Sequence, residues 1–417
     1  MNNRLFIVDH MCVLPYGHNL GSVRLFSTLF QERGWKTICL VSRNLSGFVD
    51  QSYGVEKELF FPYGGHFDIK ERSGFFSIRF PALMSLINKV IRRISFIIIS
   101  TFQKVDPVRR NVLIDWERIF QKYSINKNDI IFFPSADYYG CLALLDHLSK
   151  IPSIKRPKIH MRMIGVMEYA NYSMMKGKFS FFFELKKFLS EGINIKLSAE
   201  TPTYSRFINK ILNIPVPYMP YPLIHSIDPL RWECPKIITS PGQGRVDKGF
   251  FKIYSIIKEI FHKGHGKEFC FDIQDMRSSD LDFNRAYQQL LQKIPCLTLR
   301  KDILEYDEIN SMYRESDILL LPYDLKTYEM RGSAVYQEGI AFGRPVVSTR
   351  GTGIAELIDR YQNGLLADNE HEFAQRIIEL SEKSKAEIQE ITKKARELYL
   401  LDVEKGLLDI MTGLDYD

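Results

Sequence analysis

RLFIVDHMCVLPYGHNLGSVRLFSTLFQERGWKTICLVS, residues 4–42, decides the fold class. Its first seven residues form a compact apolar run, which reads as a buried strand. A loop with Gly17 and Gly21 follows. SVRLFSTLFQERG (22–34) carries apolar residues at helical spacing and ends at Gly34, as a helix C-cap would. WKTICLVS (35–42) is a second strand. Strand, helix and strand in this order make a βαβ unit, which implies a parallel sheet covered by helices.

The same grammar runs on along the chain. DIIFFPS (129–135), KIHMRMI (158–164) and INIKLSAE (193–200) read as strands, with GCLALLDHLSK (140–150) a helix between the first two. Residues 213–230 then hold five prolines in 18 residues, and such non-periodic sequence reads as a linker. Beyond it, strands are expected at KIITSPG (236–242), EFCFDIQ (268–274), DILLLPYD (317–324) and RPVVSTR (344–350). Helices are expected at KGFFKIYSIIKEIFHKG (248–264), DEINSMYRESD (307–317), SAVYQEGIAFG (333–343) and through most of 369–417. The expected fold class is α/β, with two Rossmann-like doubly wound domains facing each other across a cleft. Residues 1–220 form the first, 231–395 the second, and 396–417 a helical tail packing back on the first. Such sheets bind ligands at the C-terminal ends of their strands.

Composition narrows the function classes. The chain has 417 residues, 45% hydrophobic and 25% charged, which excludes a disordered chain, a collagen-like fibre and a small disulfide scaffold. No run reaches the 18 apolar residues of a membrane span, and the N-terminus does not read as a secretory signal. Six cysteines lie scattered without metal-ligand spacing, so neither zinc nor disulfides are expected, and a reducing cytoplasm fits. Residues 1–230 carry 30 Lys and Arg against 18 Asp and Glu, and residues 231–417 carry 26 against 32. A basic half suits an anionic substrate or membrane surface. No RNA- or DNA-binding module is recognisable, so nucleic acid is not expected.

The chemistry gathers in the second half. In SPGQGRVDKGF (240–250), Gly242 and Gly244 allow close backbone approach, while Arg245 and Lys248 supply charge for an anion. The spacing is neither a P-loop nor a dinucleotide fingerprint. In LPYDLKTYEMRGSAVYQEGIAFGRPVV (321–347), Gly332, Ser333 and Ala334 open a helix whose amides suit a second phosphate. Glu338 lies within that helix, where it can face a cleft and bind sugar hydroxyls; the competing reading is a solvated helix carboxylate. DLD (280–282) reads as a solvated loop, not a metal site.

GQGRVDKG and EGIAFGRPVV resemble the "G-x-x-R-x-x-K-G" and "E-A-x-A-x-G-x-P-V-V" signatures of retaining GT-B glycosyltransferases of the family 4 type. GTGIAEL (351–357) and NGLLA (363–367) are similar to the segments that follow in those enzymes. The resemblance implies a GT-B architecture and transfer of a sugar from a UDP-, GDP- or other nucleotide sugar with retention. It assigns Arg245 and Lys248 to the diphosphate and Glu338 to the ribose or sugar. The family's first glutamate would fall on Met330, a departure that Glu329 could repair; Tyr328–Ser333 with Arg331 instead resembles an "R-x-S-G" subgroup. No metal and no further cofactor are implied.

On the acceptor side, Gly17, His18 and Asn19 lie in a glycine-bearing loop, and Asp137 and Arg162 follow or end strands. His160 is the candidate histidine near the donor sugar, against the reading of a satisfied core histidine. The segments 79–104 and KGKFSFFFELKKF (176–188) are basic and amphipathic. They fit either an anionic membrane or a cover for the first sheet. The expected acceptor is a glycan or lipid-linked glycan in cell-surface polysaccharide (lipopolysaccharide or capsule) synthesis, at the inner face of the cytoplasmic membrane. The alternatives are another GT-B enzyme, an epimerase or phosphorylase, and a degenerate GT-B module that binds a glycan or partner.

Overall fold

The computed structural model describes residues 4–14, 18–46, 54–60, 107–165, 180–223, 229–276 and 281–412. The segment 79–104 and Gly17 lie outside them, and the side chain of His18 is not among those described.

The first sheet contains β1 (Arg4–Asp9), β2 (Lys36–Ser42), β3 (Val55–Leu59), β4 (Ile130–Phe133), β5 (Lys158–Met163) and β6 (Ile195–Ala199). Its order is β3-β2-β1-β4-β5-β6. Parallel ladders join β1 to β2 and β4, with Phe6 beside Ile38 on one flank and Ile131 on the other. The chain order reverses between β1 and β4, which makes their C-terminal ends the switch point. Leu5 to Val8 and Ile131 to Phe133 are fully buried, as expected where helices cover both faces of a sheet. Around the sheet run α1 (His18–Glu32), α2 (Pro107–Tyr123), α3 (Tyr138–Ser149) and α4 (Ser180–Ser190).

The second sheet contains β7 (Lys236–Ser240), β8 (Phe269–Gln274), β9 (Leu297–Arg300), β10 (Ile318–Leu321), β11 (Val346–Thr349) and β12 (Gly364–Ala367), in the order β12-β11-β10-β7-β8-β9. All of its ladders are parallel, and the reversal falls between β7 and β10. Its helices are α5 (Pro202–Leu212), α6 (Ile253–His262), α7 (Leu281–Leu291), α8 (Tyr306–Glu315), α9 (Leu325–Tyr328), α10 (Ala334–Ala341), α11 (Gly353–Tyr361), α12 (Glu370–Ser381) and α13 (Lys385–Thr412). Ile253, Ile256, Ile257 and Ile260 line one face of α6 and are all buried. Each contributes about 1.5–3 kcal/mol relative to exposure.

Several elements differ from the sequence expectation. The polar edge strands β3 and β9 carry too few apolar residues to announce themselves. The helix expected from Lys248 starts as two short 3-10 turns, Val246–Lys248 and Phe250–Lys252, and turns α-helical only at Ile253. Gly249 between them is left-handed, φ 72°, and interrupts the helix. The supposed DLD loop instead runs into α7, which starts at Leu281.

Contacts divide the chain into two compact units within β6. The second unit comprises Ile164–Val166 and Ser198–Met411. The division precedes the Pro-rich stretch, near which the sequence placed it, because the chain after β6 is already tied into the second unit. Thr201 caps α5, and Arg206 and Thr203 of α5 grip Glu356 of α11. The Pro-rich segment is itself anchored there. Tyr221 N donates to the Gln337 side chain at 2.7 Å and Leu223 N to the Tyr399 hydroxyl of α13 at 2.9 Å. Gly406 of α13 meets Met219 so closely that an added Cβ would lie 2.7 Å from its Cγ. Residues 396–411 of the expected tail are therefore held in the second unit along this face, and Thr412 groups with the first.

Candidate functional site

The two central strands of the second sheet release the two loops that the sequence singled out. β7 leads into residues 241–249 and β10 into residues 322–333. Backbone packing locks them together. A Cβ on Gly249 would lie 1.9 Å from the carbonyl oxygen of Pro322, so only glycine fits. Asp324 N donates to the Asp247 carbonyl at 2.9 Å.

Arg245 is 46% exposed, yet its guanidinium is held on two sides. Nε and Nη2 donate to the Asp247 carboxylate at 3.0 and 2.6 Å, and Nη2 also donates to the Tyr328 hydroxyl at 2.9 Å. The fork is thus oriented before any ligand arrives. Burial pushes the Tyr328 phenol up to about 12, so at neutral pH it stays a neutral hydroxyl. Arg331 lies over the Tyr328 ring at 6.0 Å, and burial draws its guanidinium below the usual arginine range.

Lys248 is the desolvated cation of the site. Burial, seconded by the Arg245 charge, brings its ammonium down to about 8. Gly242, φ 80°, makes room for it: a Cβ there would lie 3.0 Å from Lys248 Nζ and 2.7 Å from Val335 Cγ2 of α10. Glu338 faces the same space. Burial raises its carboxyl above the ordinary range, while a hydrogen bond from Tyr313 and the Lys248 charge oppose that rise. Both ions therefore lean toward neutrality, which leaves Lys248 available for an added anion.

Helix α10 supplies the third group. Ser333 is its N-cap and accepts from Tyr336 N at 3.3 Å, and its hydroxyl lies 3.2 Å from that of Tyr323. As at any helix start, the first amides, from Ala334 onward, have no intrahelical acceptor and point outward. Gly244 is structural: a Cβ would meet the Phe250 ring at 2.6 Å.

Glu329, considered as a replacement carboxylate, is exposed at the end of α9. Met330 contributes its carbonyl, which accepts from the Thr201 hydroxyl at 2.7 Å. The carboxylate that does stand beside this loop is Glu200. A Cβ on Gly332 would lie 2.7 Å from Glu200 Oε2. Sequence reading passed over Glu200, although its place after the strand KLSA was the available signal.

The first unit has its own cluster at the switch point of β1 and β4. Asn19 donates to both oxygens of the buried Asp9 at 3.3 and 3.0 Å, and Met11 N donates at 2.8 Å. Burial nevertheless raises Asp9 to about 6. Asp137, offered as an acceptor ligand, caps α3 by accepting from Gly140 N at 2.7 Å and lies 3.3 Å from the buried His10. Arg162 is buried and donates to the Pro134 carbonyl at 3.2 Å. His160 sits in mid-strand, 2% exposed, edge-on to Phe132 at 5.6 Å. Burial brings it down to about 3, a neutral core histidine away from the strand end. These three side chains are engaged in the interior and do not present themselves to a ligand. In α4, Phe181, Phe182 and Phe188 are buried, and Phe183 is 71% exposed. Among the described residues, no helix is long and apolar enough to cross a membrane, and no cluster of three His, Cys, Asp or Glu could hold a metal.

Comparison with known proteins bears on the fold and on one segment of the chain. Residues 281–383 match the family model described as "Glycosyl transferases group 1". No curated protein matches the chain in sequence. Sucrose-phosphate synthase from Thermosynechococcus elongatus is similar in structure, with a TM-score of 0.65 at 12% identity over 98% of each chain. A glycosyltransferase from Rickettsia africae superposes with a TM-score of 0.63 at 14% identity over 100% of each. A UDP-forming α,α-trehalose-phosphate synthase from Burkholderia xenovorans gives 0.59 at 12% identity over 99% of each. At these identities the likeness establishes the fold: two parallel six-stranded sheets with flanking helices, as in GT-B glycosyltransferases. The matched family segment includes Glu338 and the 329–334 loop; the Arg245–Lys248 turn lies before it.

Proposed function

We propose that the protein is a glycosyltransferase that takes a sugar from a nucleotide-sugar donor held in the second unit. One observation carries this reading. A desolvated lysine, a pre-oriented arginine and a helix start converge at the switch point of a parallel sheet, an arrangement suited to a diphosphate. The group 1 family segment supports it, as does the phosphate-sugar chemistry in the names of the structural neighbours.

Breaking the bond between the sugar and the diphosphate leaves negative charge on the β-phosphate. Arg245 can donate to it through Nη1, the nitrogen that Asp247 and Tyr328 do not engage, Lys248 can add a point charge, and the amides beginning α10 can complete the cradle. Groups fixed before reaction stabilise that charge without reorganising. Glu338 lies near enough for the Lys248 charge to act on it and can accept from a donor hydroxyl. These protein groups suffice for leaving-group stabilisation, so we read the reaction as independent of metal and of any further cofactor. Retention of anomeric configuration is part of the proposal.

The first unit is the proposed acceptor domain, with Asn19 and the β1–α1 loop at its switch point. Its excess of Lys and Arg supports a glycan or lipid-linked glycan acceptor at an anionic membrane surface, in cell-surface polysaccharide synthesis on the cytoplasmic side. Calorimetric titration with a panel of nucleoside diphosphates tests the donor reading. One base is expected to bind, and binding is expected to fall at least tenfold in Arg245→Ala. A panel without a single binder overturns it.

A further inference from the structure

We infer that Glu200 is the residue by which the donor site reads the sugar, its carboxylate accepting hydrogen bonds from sugar hydroxyls. This rests on the donor-site reading above.

Glu200 follows β6, some 130 residues before the loop it serves. Its position is firmly set. Oε1 accepts from Gly165 N at 2.5 Å. The next residue, Thr201, donates to the Met330 carbonyl and caps α5 by accepting from Tyr204 N at 3.1 Å. Gly353 at the start of α11 closes the other side, since a Cβ there would lie 2.8 Å from the Arg331 carbonyl oxygen and 3.1 Å from Thr201 Cγ2. The 330–332 loop is therefore clamped, and Gly332 lets the Glu200 Oε2 side approach it.

This places a carboxylate beside Gly332, next to the Ser333 cap that opens α10. Its charge also acts on Tyr328, the residue that holds Arg245. A carboxylate so near a phosphate cradle repels phosphate oxygens, so it serves no diphosphate. It is an acceptor-only group and suits the hydroxyls that follow the β-phosphate in a nucleotide sugar. A site built to accept from a hydroxyl rejects a ligand lacking it far more strongly than an apolar pocket can.

The test compares wild type, Glu200→Gln and Glu200→Ala by calorimetric titration with the nucleoside diphosphate that binds wild type and with its hexose conjugate. Melting temperatures serve as the fold control. The diphosphate is expected to bind all three within about threefold. The hexose conjugate is expected to weaken roughly 10–100-fold in Glu200→Ala, as for a lost charged hydrogen bond, and less in Glu200→Gln. A series of deoxy-hexose conjugates adds a readout that a structural role would not move: one member should bind wild type as weakly as the intact conjugate binds Glu200→Ala. Equal losses for diphosphate and conjugate, or no loss for either, would overturn the inference while leaving the donor site standing. A wild type that binds no diphosphate removes both.

Discussion

Lys248→Met trades binding for stability, and the size of the trade follows from the site. The ammonium is brought from 10.5 down to about 8, chiefly by burial. At 1.36 kcal/mol per unit, holding that ion in its buried setting costs about 3 kcal/mol. Methionine keeps the apolar stem and removes the ion. Glu338 then loses its neighbouring cation, which reduces the gain to the order of 2 kcal/mol. For a unit of this size, each kcal/mol moves the melting temperature by roughly 2–4 °C. The variant should therefore melt several degrees above wild type at pH 7. Its folded pKa lies below the unfolded one, so the cost of the lysine is full below about pH 8 and fades as pH rises toward 10.5. The variant's advantage should fade across that window. Scanning calorimetry at pH 7 and pH 10, with diphosphate titration at pH 7, measures both sides. A variant that melts at or below wild type at pH 7, or that still binds diphosphate normally, refutes the reasoning.

Other perturbations follow from the same geometry. Diphosphate affinity of wild type should fall as pH rises through about 8, where Lys248 loses its proton, and titration from pH 7 to 9.5 reads it. Gly242→Ala should weaken diphosphate binding at least tenfold, because its Cβ collides with Val335 and crowds Lys248 Nζ; circular dichroism checks that the fold persists. Asp9→Asn should raise the melting temperature at pH 8 and not at pH 4. A carboxyl raised to about 6 gives its full stability below 3.8, and that contribution is lost as pH rises through 6. Ile257→Ala should cost about 2–5 kcal/mol in urea unfolding without changing the affinity of the folded protein.

The βαβ reading of residues 4–42 and the strand ends at Ser240 and Leu321 were legible because buried parallel strands write compact apolar runs. The placement of Arg245, Lys248 and Ser333 was legible for the same reason, since each lies in a loop that leaves such a strand, with Glu338 in the helix that follows. Edge strands β3 and β9 were hidden by their charged or half-exposed residues. The depth of His160 was hidden too, since a strand covered on both faces shows no alternation to say which end is open. Glu200 was signalled only by its place after a strand, since no local pattern joins it to its partner loop. Helix α5 was passed over although Thr201 and Pro202 are ordinary start signals.

Arg245, Lys248 and the start of α10 are proposed to form a site for the diphosphate of a nucleotide sugar. Calorimetric titration of wild type and the Arg245→Ala, Lys248→Met double variant with nucleoside diphosphates tests it most directly. One diphosphate is expected to bind wild type and none the double variant, with both proteins folded. Equal binding by the two would place the ligand elsewhere and contradict the proposed site.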